Sequence, residues 1–134
     1  MFTAFDLLAK FQFGDTGGVG KRFTDFLISP SGTGMQQADA ELFYAIRNSL
    51  VHAFGVPDID ALARLGLQGV EIHRRTETKD GLLTVQRKSW SGHTVAVIYV
   101  DGVFSVLHYS IGNYRNFLAT SADAQKQFDT MFEK

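Results

Sequence analysis

Arg47, Asn48 and His52 are the residues of this chain whose types and spacing best suit chemistry on a phosphate ester. An imidazole exchanges protons near neutral pH. A guanidinium stays charged and binds anionic oxygens in pairs. The amide beside it offers a hydrogen bond that orients either the cation or the phosphate. All three fall in the stretch 42–55, which reads as one amphipathic helix. At about 100° per residue, Leu42, Ala45, Ile46, Ser49, Leu50 and Ala53 gather on one small, apolar face. Asn48 and His52 are one turn apart on a flank that Tyr44 extends, since residues four apart are neighbours. Arg47 lies beyond the other edge of that face, about 140° from His52. Both side chains reach whatever packs across the face, because Arg is long and snorkels. The plainer account makes His52 a hydrogen-bonded helix histidine and pairs Arg47 with Glu41 or Asp39, six and eight residues away. Those spacings are awkward for a pair within one helix.

Arg47-Asn48 followed by His52, with four residues between Arg and His, resembles the signature of the HEPN superfamily. That signature is an Arg, usually followed by a polar residue, then a His after roughly four to six further positions. Arg87 and His93 have a similar spacing, but Ser91-Gly92 between them reads as a turn. The first pair has a helical apolar pattern around it, with Gly55 and Pro57 where the helix should stop. The resemblance implies a mainly α chain: a HEPN-like helical bundle with a small antiparallel β insertion, α+β by content. It implies one HEPN-like domain over residues 1–134 with the insertion at about 69–100.

Many HEPN proteins are metal-independent ribonucleases of toxin–antitoxin, defence and RNA-processing systems, commonly homodimeric. Cleavage through the RNA 2′-hydroxyl needs a base for that proton and an acid for the leaving 5′-oxygen. Two motif helices packed across a two-fold axis supply two His and two Arg. The resemblance therefore assigns His52 as general base (or, in the second copy, acid), Arg47 as stabiliser of the phosphorane, and Asn48 as its orienting residue. The products are a 2′,3′-cyclic phosphate and a 5′-hydroxyl, with no cofactor and no metal. In one HEPN toxin group a Tyr two residues after the His is modified by a partner enzyme. Here that position is Phe54, which has no hydroxyl to modify. An antitoxin or other protein partner also follows from the family. Two alternatives stay open: a non-catalytic HEPN-like dimer that binds a nucleotide or a protein, and an α+β protein unrelated to HEPN.

The chain of 134 residues is one domain by length, at 45% hydrophobic and 20% charged residues. Its net charge of −1 supplies no global basic field for nucleic acid. Any RNA contact must come from a local patch. The best one is the strand region, with Arg74, Arg75, Lys79, Arg87 and Lys88 against Glu71, Glu77 and Asp80, and with Trp90 to stack on a base. A solvated hairpin surface explains the same charges. The absence of Cys excludes disulfides and thiol chemistry. His73, His93 and His108 have no metal-ligand spacing. His108-Tyr109 is a second polar pair. Neither a membrane-length apolar run nor a basic leader with an apolar core is present, so a cytoplasmic location is expected.

Helical spacing of Phe2, Phe5, Leu8 and Phe11 predicts a first helix over 2–12. The Gly-rich run 14–20 tempts a phosphate-loop reading, which fails on Asp15 at the first glycine position and Arg22 where Ser or Thr must follow Lys21. It reads as an interhelical loop. A short helix follows over 22–28, and Thr33 with Gln36 predicts a capping box for the motif helix. Asp58 caps a turn over 61–65 that Gly66 ends. Alternation over 70–73, 83–86 and 94–97, with turns at Lys79-Asp80-Gly81 and Ser91-Gly92, predicts an antiparallel meander. Asp101 opens a helix that runs through Gly112, and Ser121 opens a last one.

Overall fold

The computed structural model describes residues 2–15, 17–52, 59–74 and 84–133, the side chains of Val51 and His52 excepted. The expected stop signals Gly55 and Pro57, the cap Asp58, and the turn Lys79-Asp80-Gly81 lie outside the described residues, as do Ala53, Phe54, Arg75 and Glu77. Among the described residues the chain is mostly helical, with six helices and a three-stranded mixed sheet. Two compact units divide it: Met1–Ala40 with Leu107–Lys134, and Glu41–Val106.

The first unit is built on aromatic stripes. Helix α1 (Phe2–Phe13) buries Phe5 and Ala9, one turn apart. Helix α2 (Val19–Ile28) buries Phe23, Phe26 and Leu27 at the same helical period and packs on α1. Between them the backbone turns through Gly14 and Gly17 at φ of +72° and +79°. Only glycine adopts such angles freely, which is why the Gly-rich run is a loop. Helix α6 (Ala122–Phe132) also packs on α1, with the Phe11 and Phe128 rings 4.9 Å apart. Ser121 caps it as expected: its side chain accepts from the Ala124 N–H at 3.2 Å.

The Thr33–Gln36 capping box does not form. Thr33 Oγ1 donates to the Leu27 carbonyl and accepts from the Met35 N–H, so it closes the end of α2 instead. The motif helix α3 (Gln37–His52) starts one residue beyond Gln36, whose carbonyl accepts from Ala40 N–H at 3.0 Å. Gly32 in this linker is held tightly. A Cβ there would lie 2.1 Å from the Phe26 carbonyl oxygen, and the Gly32 carbonyl accepts from Asn113 Nδ2 at 3.1 Å.

The second unit holds most of α3, the short α4 (Ile59–Arg64), and strands β1 (Gly69–His73), β2 (Val85–Trp90) and β3 (His93–Tyr99). Gly66, at φ +73°, ends α4 as predicted, with Leu67 N–H returning to the Leu62 carbonyl at 2.9 Å. The expected antiparallel meander is corrected: the strand order is β1-β3-β2, with β1 parallel to β3 and only β2 antiparallel to it. The physical reason lies in the apolar run of β3, whose Ala96, Val97, Ile98 and Tyr99 are all buried. A strand buried on both faces belongs in the centre, and the charged β1 and β2 take the edges. The β2–β3 hairpin turns at Ser91 and Gly92, both at positive φ, as its sequence predicts. Helix α5 (Val100–Thr120) follows β3 directly and passes through Gly112 without a break. The first unit's part of α5 buries Ser110 and Tyr114.

Candidate functional site

Helix α3 turns a buried stripe of Leu42, Phe43, Ile46 and Ser49 to one side. Tyr44, Arg47 and Asn48 are half-buried outside it. Arg47 Nη1 donates to Asn48 Oδ1 at 3.1 Å. The sequence dictates this contact, because consecutive helical residues diverge by about 100° and only a long side chain folds back across that angle. A neutral amide acceptor fixes the plane of the guanidinium without cancelling its charge. His52 is the last residue of α3, and its side chain lies outside the described residues.

The small-residue face differs from expectation. Ser49 is buried within the chain itself, and its hydroxyl donates to the Ala45 carbonyl at 3.0 Å. Leu50, expected on the apolar face, is 49% exposed. It sits three residues from Arg47 and therefore on the same flank. Leu50 thus forms an exposed apolar position on the Arg47 flank of α3, and Ser49 serves the chain's own packing.

The basic residues expected to contact substrate are separated by the sheet. Arg74 follows β1 at one edge, and Arg87, Lys88 and Trp90 lie on β2 at the other. Lys88 pairs with Val95 and Arg87 with Ala96, so the two point to opposite faces. Trp90 shares the Lys88 face and is 54% exposed. Arg75 and Lys79 lie outside the described residues. His73 Nε2 is 3.2 Å from Glu71 Oε2, and its ring meets Tyr99 edge-on at 5.8 Å. Tyr99 in turn donates to Gln86 Oε1 at 2.8 Å. His108 and Tyr109 are both exposed. Among the described residues no group of three His, Asp or Glu is placed to hold a metal, and no helix is long and apolar enough to cross a membrane.

Among the described residues, two clefts are lined by charged side chains. One, of about 210 Å³, is lined by Phe13, Gly17, Lys21, Arg22 and Asp25. Its cations are already engaged: Lys21 pairs with Asp25 one turn on, and Arg22 Nη1 donates to the Gly17 carbonyl at 3.3 Å. The other, of about 290 Å³, is lined by Arg74, Val100, Asp101 and Phe104. Sequence reasoning missed it, because a meander does not place the ends of β1 and β3 side by side. No family model matches the chain, and neither does any curated protein or solved structure.

Proposed function

We propose that this chain is a HEPN-like, metal-independent ribonuclease acting as a homodimer, with a composite site formed by the α3 helices of two copies. The observation that carries the reading is the Arg47–Asn48 hydrogen bond on a helix whose last residue is His52. In this mechanism His52 takes the proton from the RNA 2′-hydroxyl, and the 2′-oxygen attacks phosphorus. Arg47, oriented by Asn48, faces the phosphorane as its negative charge develops. The 5′-oxygen leaves with a proton from His52 of the partner subunit, giving a 2′,3′-cyclic phosphate and a 5′-hydroxyl. The Leu50–Arg47 edge of α3 supplies the dimer contact. A cytoplasmic toxin, defence or RNA-processing role follows from the same resemblance.

One observation favours the rival reading of a non-catalytic nucleotide- or protein-binding dimer. The basic residues of β2 and Arg74 lie on opposite edges of the sheet and form no single track for an RNA backbone. Measuring RNA cleavage by wild type, Arg47→Ala, His52→Ala and His93→Ala separates the two. The ribonuclease reading expects activity in the presence of EDTA and cyclic phosphate ends. It expects losses on the order of 10²–10⁴ for the Arg47 and His52 variants at unchanged melting temperature, with His93→Ala active. Activity that vanishes on chelation and returns with magnesium, or that survives both α3 substitutions, removes it.

A further inference from the structure

We infer that the open end of the sheet, built around Trp90 and Lys88, holds one unpaired nucleotide of single-stranded RNA by stacking its base. The inference deepens the ribonuclease reading by naming the form of the RNA, and rests on that reading only for the choice of RNA over another single strand. It begins with strand register. Side chains alternate between the two faces of a sheet, so Lys88 and Trp90 of β2 share one face. Across that face Lys88 is opposite Val95 of β3, which is in turn opposite Gly69 of β1. Trp90 is opposite His93 at the hairpin end.

The same face of β3 is closed further along, where Val97 and Tyr99 are fully buried. Toward the hairpin it opens: Val95 and Lys88 are half-buried, and Trp90 is 54% exposed. Gly69 adds no side chain, and a Cβ there would lie 3.7 Å from a Val95 methyl, an ordinary contact. Val95 is thus the floor of a shelf, with Trp90 and Lys88 along one side and Gly69 leaving the other side low. Among the described residues, no hydrogen bond, ion pair or ring contact engages the Trp90 or Lys88 side chain.

An exposed indole and an unpaired cation, about 6.6 Å apart along one strand face, match the base and the phosphate of one nucleotide. Stacking on an aromatic ring accepts every base, because each has a π-face. An ammonium supplies a point charge to the phosphate. Glu71, the acid on this face of β1, is turned to His73, 3.2 Å away, so the charge of Lys88 is left for an anion. A duplex keeps its bases stacked on one another and offers none to Trp90. A membrane surface fits less well, because Ser89, Ser91, Gly92 and Thr94 around Trp90 form no apolar patch to enter lipid. One ring and one cation serve a single nucleotide, which agrees with basic residues that form no continuous track.

Trp90 is the chain's single Trp, so intrinsic fluorescence of the full chain reports stacking at this position alone. The titrant is a short 2′-O-methyl RNA, which lacks the hydroxyl that the α3 mechanism needs and therefore stays intact. Saturable quenching is expected with the single strand, and at least tenfold weaker binding with the same strand annealed to its complement. Anisotropy of a labelled strand then follows the variants, each checked for fold by circular dichroism. Trp90→Ala is expected to weaken binding about tenfold or more, with Trp90→Phe close to wild type. Lys88→Gln should lower the slope of log affinity against log salt by about 0.7, and Lys126→Gln, at an exposed position on α6, should leave it unchanged. Absence of quenching at submillimolar RNA, equal binding of the duplex, a Trp90→Ala variant that binds as wild type does, or equal salt slopes for the two lysine variants each overturns the inference. So does tighter binding of the same sequence as DNA, or a blue shift with phosphatidylglycerol vesicles and no response to RNA. Cleavage of ordinary RNA without quenching leaves the α3 reading standing while this inference falls, and quenching without cleavage does the reverse.

Discussion

On the proposed ribonuclease mechanism, replacing Asn48 by Ala separates an orienting role from a catalytic one at α3. The variant removes the acceptor 3.1 Å from Arg47 Nη1 and leaves the guanidinium in place. A hydrogen bond to a charged group contributes about 1.5–3 kcal/mol when shielded from water. Both partners here are half-buried, so water replaces part of that, and about 1 kcal/mol remains. If this energy holds Arg47 in its productive position, Asn48→Ala slows the chemical step about fivefold. Arg47→Ala loses the cation itself and slows it on the order of 10²–10³-fold. Asn48→Asp adds a carboxylate beside Arg47 that cancels its charge toward an anion, and should be slower than Asn48→Ala although it keeps the hydrogen bond. Single-turnover cleavage of a short RNA measures the three rates, with melting temperature and sedimentation establishing fold and assembly. Equal losses in Asn48→Ala and Arg47→Ala would mean that Asn48 itself touches the substrate. An Asn48→Asp variant as fast as wild type would refute the role given to the Arg47 charge.

Two further substitutions probe the first unit. The Tyr114 hydroxyl is buried without a hydrogen-bond partner, and burial pushes its pKa up to about 12. Tyr114→Phe should therefore stabilise the fold by about 1 kcal/mol, or roughly 3–4 °C in Tm for a chain of this length; a lower Tm contradicts the assignment. Because the folded pKa is raised, stability from the neutral phenol is full below about pH 10 and is lost as pH rises through 12. Denaturant titrations at pH 9 to 12 should show this alkaline loss in wild type and a smaller one in Tyr114→Phe. Gly32→Ala places a Cβ 2.1 Å from the Phe26 carbonyl oxygen and should cost about 2–4 kcal/mol through forced backbone displacement. A urea midpoint equal to wild type would show that the linker yields freely.

Local signals made most elements legible in the sequence. The helical spacing around Phe5, the cap at Ser121 and the stop at Gly66 each act over one or two helical turns. The Ser91-Gly92 turn also set the β2–β3 hairpin correctly, because two residues at positive φ fix its twist. What escaped was non-local. The place of β1 depends on which strand most needs burial on both faces, and alternation within 70–73 does not record that competition. Thr33 was misassigned for a related reason: a hydroxyl near two helix ends serves whichever backbone group lies closer, and here that is the Leu27 carbonyl. At the candidate site, the Arg47–Asn48 contact follows from adjacency on a helix. The exposure of Leu50 and the burial of Ser49 depend on packing partners that spacing alone does not identify.

That exchange of faces has a consequence for assembly. With Ser49 buried in the chain and its hydroxyl returned to Ala45, that residue is already taken up by the chain's own packing. A two-fold contact that removes Leu50 from water must then draw Arg47, three residues before it, toward the axis in both copies. Two guanidiniums facing one another repel, so such a dimer is weakened by the residues that make it useful. An anion between them reverses the sign of that interaction. A ligand that binds the dimer better than the monomer stabilises the dimer by the same coupling free energy. On the proposed mechanism, dimerisation and phosphodiester binding at Arg47 are therefore one linked equilibrium, and salt that screens the repulsion also weakens the grip on RNA.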